Sequence, residues 1–168
     1  MLKAGILVIF PMLVAFGGVS DLLTMTIRNR VSILLAAGFA ILALAVGMPL
    51  HDWGMHALAF AVVFLPCFAF FAFGWMGGGD VKFIGAIALW IGFSPVLMEF
   101  VILVAIYGMV LTWSLIFLKK TEYVPGPLMR QEWFCRLQDK STGIPYGIAI
   151  AIAGLQVYPS TLWFQAIS

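Results

Sequence analysis

Residues 98–118 read MEFVILVAIYGMVLTWSLIFL, with one carboxylate, Glu99, at the start and no charge from Phe100 to Leu118. A helix rises 1.5 Å per residue, so a run of about 20 apolar residues crosses the roughly 30 Å hydrocarbon core of a bilayer. Working outward from this run, similar stretches fall at about 4–22, 32–49, 56–74, 80–96 and 144–165. The segments are continuously apolar. A transmembrane barrel would instead alternate apolar and polar residues over strands of about 10. Of the 168 residues, 64% are hydrophobic and 10% charged, against about 25% charged in a soluble domain. The expected fold is all-α: a polytopic transmembrane bundle of about six helices, a single domain over residues 1–168, with one hydrophilic loop at 119–143.

The basic residues predict the orientation. Arg28, Arg30, Lys82, Lys119, Lys120, Arg130, Arg136 and Lys140 follow spans one, three and five, and only Lys3 falls on the other side. Cytoplasmic loops carry an excess of Lys and Arg, so both termini are expected outside the cytoplasm and these loops inside it. The net charge of +2 reports this asymmetry rather than nucleic-acid binding. Residues 1–20 imitate a secretory signal, with Lys3, an apolar run and small residues from Gly17 to Ser20. They lack a clean A-x-A site, and cleavage there would leave Asp21 at a new terminus. Cys67 and Cys135 form no CxxC pair and no disulfide framework.

Within the 119–143 loop, Pro125, Gly126 and Pro127 break the chain. Met129, Trp133 and Leu137 then recur at every fourth position, with Phe134 beside them and Glu132, Arg136 and Asp139 opposite. That pattern fits a short amphipathic helix in the membrane interface; a solvated connecting loop is the alternative. The run from Phe64 to Trp75 reads as lipid-facing and packing surface, and Trp75 and Trp163 as interface anchors.

Carboxylates at membrane depth are costly and point to function. Asp21 closes span one, ahead of Thr24-Met25-Thr26-Ile27-Arg28-Asn29-Arg30, and Asp80 opens span four after Gly77, Gly78 and Gly79. Both fall on the predicted cytoplasmic side at similar depth. Two neighbouring carboxyls hold one proton between them. The charged member takes a proton from an attacking water, and the protonated member polarises a peptide carbonyl and then serves the leaving amine. The glycines let the backbone take unusual dihedrals and let a substrate strand come close. Lys82 is read as tuning the carboxyl charge, meeting an anionic substrate group, or reaching for the interface. Simpler readings stand beside these: Asp80 as the cap of span four, and Asp21 as a carboxylate at a helix end. His51 and His56, with Asp52 as the nearby acid, lack the spacing and ligand number of a metal site, and no metal or cofactor is expected. Glu99 has no assigned role.

Gly77-Gly78-Gly79-Asp80-Val81-Lys82 resembles the GxGDxK signature of the type IV prepilin peptidases, a branch of the GxGD intramembrane aspartic proteases. The stretch from Asp21 to Val31 resembles their first aspartate motif at Asp21, Thr24, Ile27 and Asn29, with Leu23 where Arg is common and Arg28 where Pro is usual. Ile144-Pro145-Tyr146-Gly147-Ile148-Ala149-Ile150 is similar to the opening of the last helix in small tight-adherence (Flp) pilus members. The resemblance implies an aspartic endopeptidase that removes a short basic leader from prepilins or pseudopilins at the cytoplasmic face of the bacterial inner membrane. It implies Asp21 and Asp80 as catalytic residues, Gly77, Gly78, Gly79 and Lys82 as shaping the site, and Asn29, Pro145, Tyr146 and Gly147 as contributing to substrate handling or gating. Glu122, Glu132 and Asp139 are candidates to meet the leader's charge. Larger members carry an extra cytoplasmic region with paired cysteines and also methylate the product. No such insert lies between spans one and two here, so a peptidase alone is expected.

The partners implied are a substrate helix and membrane lipid, with no nucleic acid. Two other functions remain open. An ion-coupled transporter or channel would carry its acids near the bilayer midplane and show paired repeats. A non-catalytic assembly factor of a pilus or secretion machine would tolerate loss of either aspartate.

Overall fold

The computed structural model describes residues 2–120, 131–139 and 142–165, with side chains from residue 5 onward. Among the described residues the chain is all-α, with eight α-helices. These are α1 (Leu2–Thr24), α2 (Asn29–Ala45), α3 (Leu50–Ala72), α4 (Gly78–Ile91), α5 (Pro95–Lys120), α6 (Glu132–Gln138), α7 (Tyr146–Val157) and α8 (Leu162–Gln165), with a 3₁₀ turn at Tyr158–Ser160 before α8. Three of them, α1, α3 and α5, are long and apolar enough to cross a membrane. The others are shorter: α2 has 17 residues, α4 has 14 and α7 has 12. At 1.5 Å per residue, α4 rises only about 21 Å.

The last apolar stretch, expected as one helix over 144–165, is broken. Pro159 lacks the N–H that a continuing helix would need. The chain turns there, with the Thr161 amide donating to the Tyr158 carbonyl at 3.0 Å and the Thr161 hydroxyl donating to the same oxygen at 2.6 Å. The turn brings α8 back against the bundle and buries Trp163 at 5% exposure. Trp163 is therefore a core residue, not the interface anchor its amphipathic ring predicted. Trp75, by contrast, is 74% exposed.

Contacts between helix ends fix the arrangement. At one end, the Tyr158 hydroxyl donates to the Ile6 carbonyl at 2.6 Å, joining the start of α1 to the end of α7. His56 Nδ1 donates to the Leu89 carbonyl at 2.6 Å, joining α3 to α4. At the other end, the Gly147 amide reaches Asp21 on α1, Lys82 of α4 reaches Asn29 of α2, and Lys119 of α5 donates to the Thr142 carbonyl. Arg28, Arg30, Lys82, Lys119 and Lys120 thus stand at the end that carries Asp21, and Asp52 and Glu99 at the opposite end.

Small residues set how closely the helices approach. A Cβ at Gly18 would lie 2.6 Å from the Ala151 methyl, so α1 and α7 meet through Gly and Ala, as apolar helices in lipid commonly do. The core between them holds Phe10, Val14, Phe39, Phe83, Ile87, Trp90 and Phe100, all within 1% of full burial.

The expected amphipathic helix is α6. Leu137 is buried, Trp133 and Phe134 are half-buried, and Glu132 and Arg136 face outward as a pair at 3.5 Å. It lies against α1 and α5 at the Asp21 end, where an Arg136 guanidinium nitrogen sits 3.4 Å from the Leu23 carbonyl. The readings at Glu122, Pro125, Gly126, Pro127, Met129, Arg130 and Lys140 lie outside the described residues.

Candidate active site

Asp21 sits one turn from the end of α1 and is 4% exposed. Its Oδ2 accepts the backbone N–H of Gly147 at 2.7 Å. This bond fixes the carboxyl's direction and satisfies one of the unpaired amides at the start of α7. Only glycine fits there. A Cβ at position 147 would stand 2.8 Å from Asp21 Oδ2 and 2.7 Å from Ile27 Cδ1.

The turn that follows Asp21 is unusual. Met25 has φ 54°, the one positive value among described non-glycine residues. A left-handed residue there ends α1, with its amide donating to the Asp21 carbonyl at 2.8 Å. Thr24 holds the turn through its hydroxyl, which donates to the Ser20 carbonyl at 2.7 Å and lies 2.9 Å from the Thr26 hydroxyl. Ile27 is buried beneath the turn, its carbonyl 3.2 Å from where a Cβ of Gly79 would be. Arg28 then caps α2 with φ −66°. That is the angle a proline ring imposes, so the backbone at Arg28 already has the geometry that a proline would take.

Asp80 lies in the first turn of α4, with Gly77 at the cap. A Cβ on Gly77 would come within 2.9 Å of Asp80 Oδ2, and one on Gly78 within 3.1 Å of the Phe71 ring. The glycines let the α3–α4 connection pass close to both. Gly74, with φ 76°, opens that connection.

Asp21 and Asp80, 59 residues apart in sequence, line one cavity of about 360 Å³. Gly77, Pro145 and Tyr146 line it as well, as do Met25, Gly74, Trp75, Met76, Gly143 and Ile144, which sequence reasoning did not assign to the site. Gly143 and Ile144 could have been found from their place beside Pro145. Met25 gives no such signal, since methionine has no turn preference.

Lys82 does not line this cavity. Two residues along a helix turn the side chain through about 200°, and Lys82 Nζ instead donates to Asn29 Oδ1 at 3.0 Å. Tyr146 reaches back to α5, its hydroxyl 3.1 Å from that of Thr112. His51 pairs with Asp52 at 3.2 Å and His56 is buried at the far end of the bundle, so neither is near the carboxyls. Glu99 is exposed at that far end too. Glu132 is exposed and engaged with Arg136.

The sequence model of the type IV leader peptidase family matches residues 7–117. The chain belongs to that family. The match takes in both Asp21 and Asp80, while α7 with Pro145, Tyr146 and Gly147 lies beyond it. The protein is accordingly an aspartic peptidase of the prepilin-processing class, whose members sit in the inner membrane. Comparison with curated proteins and with solved structures gave no match. For a leader peptidase the arrangement is chemically apt: two carboxyls face one small, partly enclosed space at the charged end of an apolar bundle.

Proposed function

We propose that Asp21 and Asp80 are the catalytic dyad of this leader peptidase and that they cleave by activating water. The observation that carries this reading is the shared cavity, which two residues distant in sequence both line within the family-matched region. One carboxylate takes the proton of a water as it attacks the scissile carbonyl. The other, protonated, holds the carbonyl oxygen by a hydrogen bond and then gives its proton to the departing amine as the C–N bond breaks, so the dyad ends with the proton from water on the first carboxyl. Close carboxyls share a proton, so cleavage falls off on both limbs of its pH profile, with limbs that belong to the pair. Gly77 lines the cavity beside Asp80, while Gly78 and Gly79 shape the site by letting Phe71 and the Ile27 carbonyl pack against the start of α4. The Gly147 amide holds Asp21, and Pro145 and Tyr146 close the cavity from the α7 side.

The whole chain acts as one transmembrane peptidase domain, with α2, α4 and α7 completing six crossings beside the three long helices. The end carrying Asp21 faces the cytoplasm, because Arg28, Arg30, Lys82, Lys119 and Lys120 gather there, and both termini lie on the other side. The substrate is a prepilin or pseudopilin with a basic leader. The likeness around Pro145-Tyr146-Gly147 favours one of the tight-adherence (Flp) pilus. A transporter would place its acids near the bilayer midplane, which fits poorly with carboxyls at one end of the bundle.

The test is co-expression with a prepilin, comparing leader removal by wild type, Asp21→Asn and Asp80→Asn at equal membrane levels. Loss of cleavage in both variants is expected. Full cleavage by either one overturns the dyad.

A further inference from the structure

A second cavity, of about 320 Å³, opens among α2, α3 and α4 and shares no lining residue with the space around the dyad. Each helix contributes a stripe at helical spacing. From α2 come Asn29, Ser32 and Ala36; from α4, Lys82, Ala86 and Leu89; from α3, Phe60 and Phe64. The polar members all lie at the charged end, and the stripes become apolar away from it. Ala36 and Ala86, small residues on facing helices, leave space open beside the rings of Phe60 and Phe64, which stack on each other at 4.9 Å.

The polar end is built to donate. Lys82 Nζ gives one hydrogen to Asn29 Oδ1 at 3.0 Å and has two left. That contact turns the Asn29 carboxamide so that its NH₂ is a further donor. Ser32 is 8% exposed, and its hydroxyl has no hydrogen-bond partner. A buried hydroxyl without a partner costs free energy; Ser32 lines the cavity one turn below Asn29, its oxygen held just beneath the surface. One cation and several neutral donors match a phosphodiester, which carries one negative charge. From Lys82 to Leu89 the groove runs about 10 Å, two-thirds of the ~15 Å hydrocarbon depth of one leaflet.

We propose that this groove binds an anionic phospholipid, its phosphate at Lys82, Asn29 and Ser32 and one acyl chain between Ala36, Ala86 and the rings of Phe60 and Phe64. A free phosphate would leave the apolar walls unused. A zwitterionic lipid would bring an ammonium group toward Lys82. The site is independent of the dyad and of which leaflet the charged end occupies. It also accounts for the direction of Lys82, away from the carboxyls it follows in sequence.

The experiment is native mass spectrometry of the full chain in detergent, titrated with phosphatidylglycerol or with phosphatidylcholine of the same acyl chains. Wild type is expected to retain the anionic lipid about fivefold more than the zwitterionic one, the effect of one basic residue at a membrane surface. Lys82→Gln removes that preference and Lys82→Arg restores it. Ala36→Trp fills the apolar part and lowers retention of both lipids. Should that variant fail to fold, the Lys82 pair carries the test alone. Equal retention of the two lipids by wild type, or an unchanged preference in Lys82→Gln, overturns the proposal. Displacement of the lipid by millimolar inorganic phosphate also overturns it, because the site would then be a simple anion site.

Discussion

At the end of the bundle away from Asp21, Phe39 touches the rings of Trp53, His56 and Trp163 at centroid distances of 5.5, 4.8 and 5.7 Å, and Phe10 stacks on Tyr158 at 4.3 Å. Trp90 sits among them with its indole N–H donating to the Leu35 carbonyl at 2.8 Å. Around Asp21 the materials are different: glycines at 74, 77, 143 and 147, a methionine in a left-handed turn, and two carboxyls facing open space. The aromatic end is cross-tied by large rings and by backbone-directed hydrogen bonds between helices. The carboxyl end is held by close backbone approach at its glycines and by the Lys82–Asn29, Tyr146–Thr112 and Lys119–Thr142 hydrogen bonds, with Trp75, Met76 and Tyr146 around the open space. On the proposed reading the chemistry lies at the end away from this aromatic cluster, and the cluster can hold the helices in register while the cavity end stays unfilled. That division can be broken or sharpened by substitution.

The largest effect is expected at the dyad. Asp80→Asn keeps the shape of the side chain and removes its titratable proton, so leader cleavage should fall by about 10²–10⁴-fold. The thermal transition should stay near that of wild type. A collapse of thermal stability instead would mean that Asp80 holds the fold, and the two ends would no longer divide the labour. Next comes Gly147→Ala. A single methyl would press on both Asp21 and Ile27 at distances under 3 Å, and displacement of a reacting group by about 1 Å costs on the order of 10²-fold in rate. In single-turnover cleavage the loss should appear in the chemical step. Unchanged cleavage would show that the Gly147 amide does not position Asp21.

Trp163→Ala probes the other end. It removes a large ring buried against Phe39, His56 and Trp90, and cavities of that kind cost about 3–5 kcal/mol. The expected outcome is a markedly lower unfolding temperature in detergent, with the folded fraction cleaving at the wild-type rate. A loss of rate without loss of stability would couple the two ends and break the comparison.

The same contrast explains what could be read from the sequence. Apolar runs such as 98–118 announce helices because composition alone excludes water, and the carboxyls stand out because acids are rare in such runs. The break in the last helix was written at Pro159 and in the polar run Ser160-Thr161, but a stretch long enough to cross a bilayer reads first as one span. The burial of Trp163 was hidden, because an aromatic near a helix end serves equally as an anchor or as core, and only the turn at Tyr158–Ser160 decides. At the candidate site, Asp21 and Asp80 were legible as rare acids in apolar sequence, and Pro145 and Gly147 only through the resemblance. Met25 was not, because its role is a backbone angle imposed by its neighbours. The direction of Lys82 was available from helical geometry, two residues past Asp80 and so on the opposite face, yet a motif read as a string places the two side by side.

The smallest effects test the turn and the open far surface together. Arg28 already has φ −66°, so Arg28→Pro should fit the native backbone and restrict only the unfolded chain, raising stability by about 0.4–1 kcal/mol. Cleavage should persist, because Arg28 does not line the dyad cavity. At the opposite end, Gly54 lies within α3 with nothing within 4 Å of a Cβ placed there, and Gly54→Ala should stabilise the helix by a similar ~0.5–1 kcal/mol. Paired thermal melts read both changes. If Arg28→Pro destabilises while Gly54→Ala does not, the turn after Asp21 depends on the arginine side chain or its N–H and not on backbone angle. The carboxyl end would then be held by Arg28 as well as by its glycines and the hydrogen bonds around them.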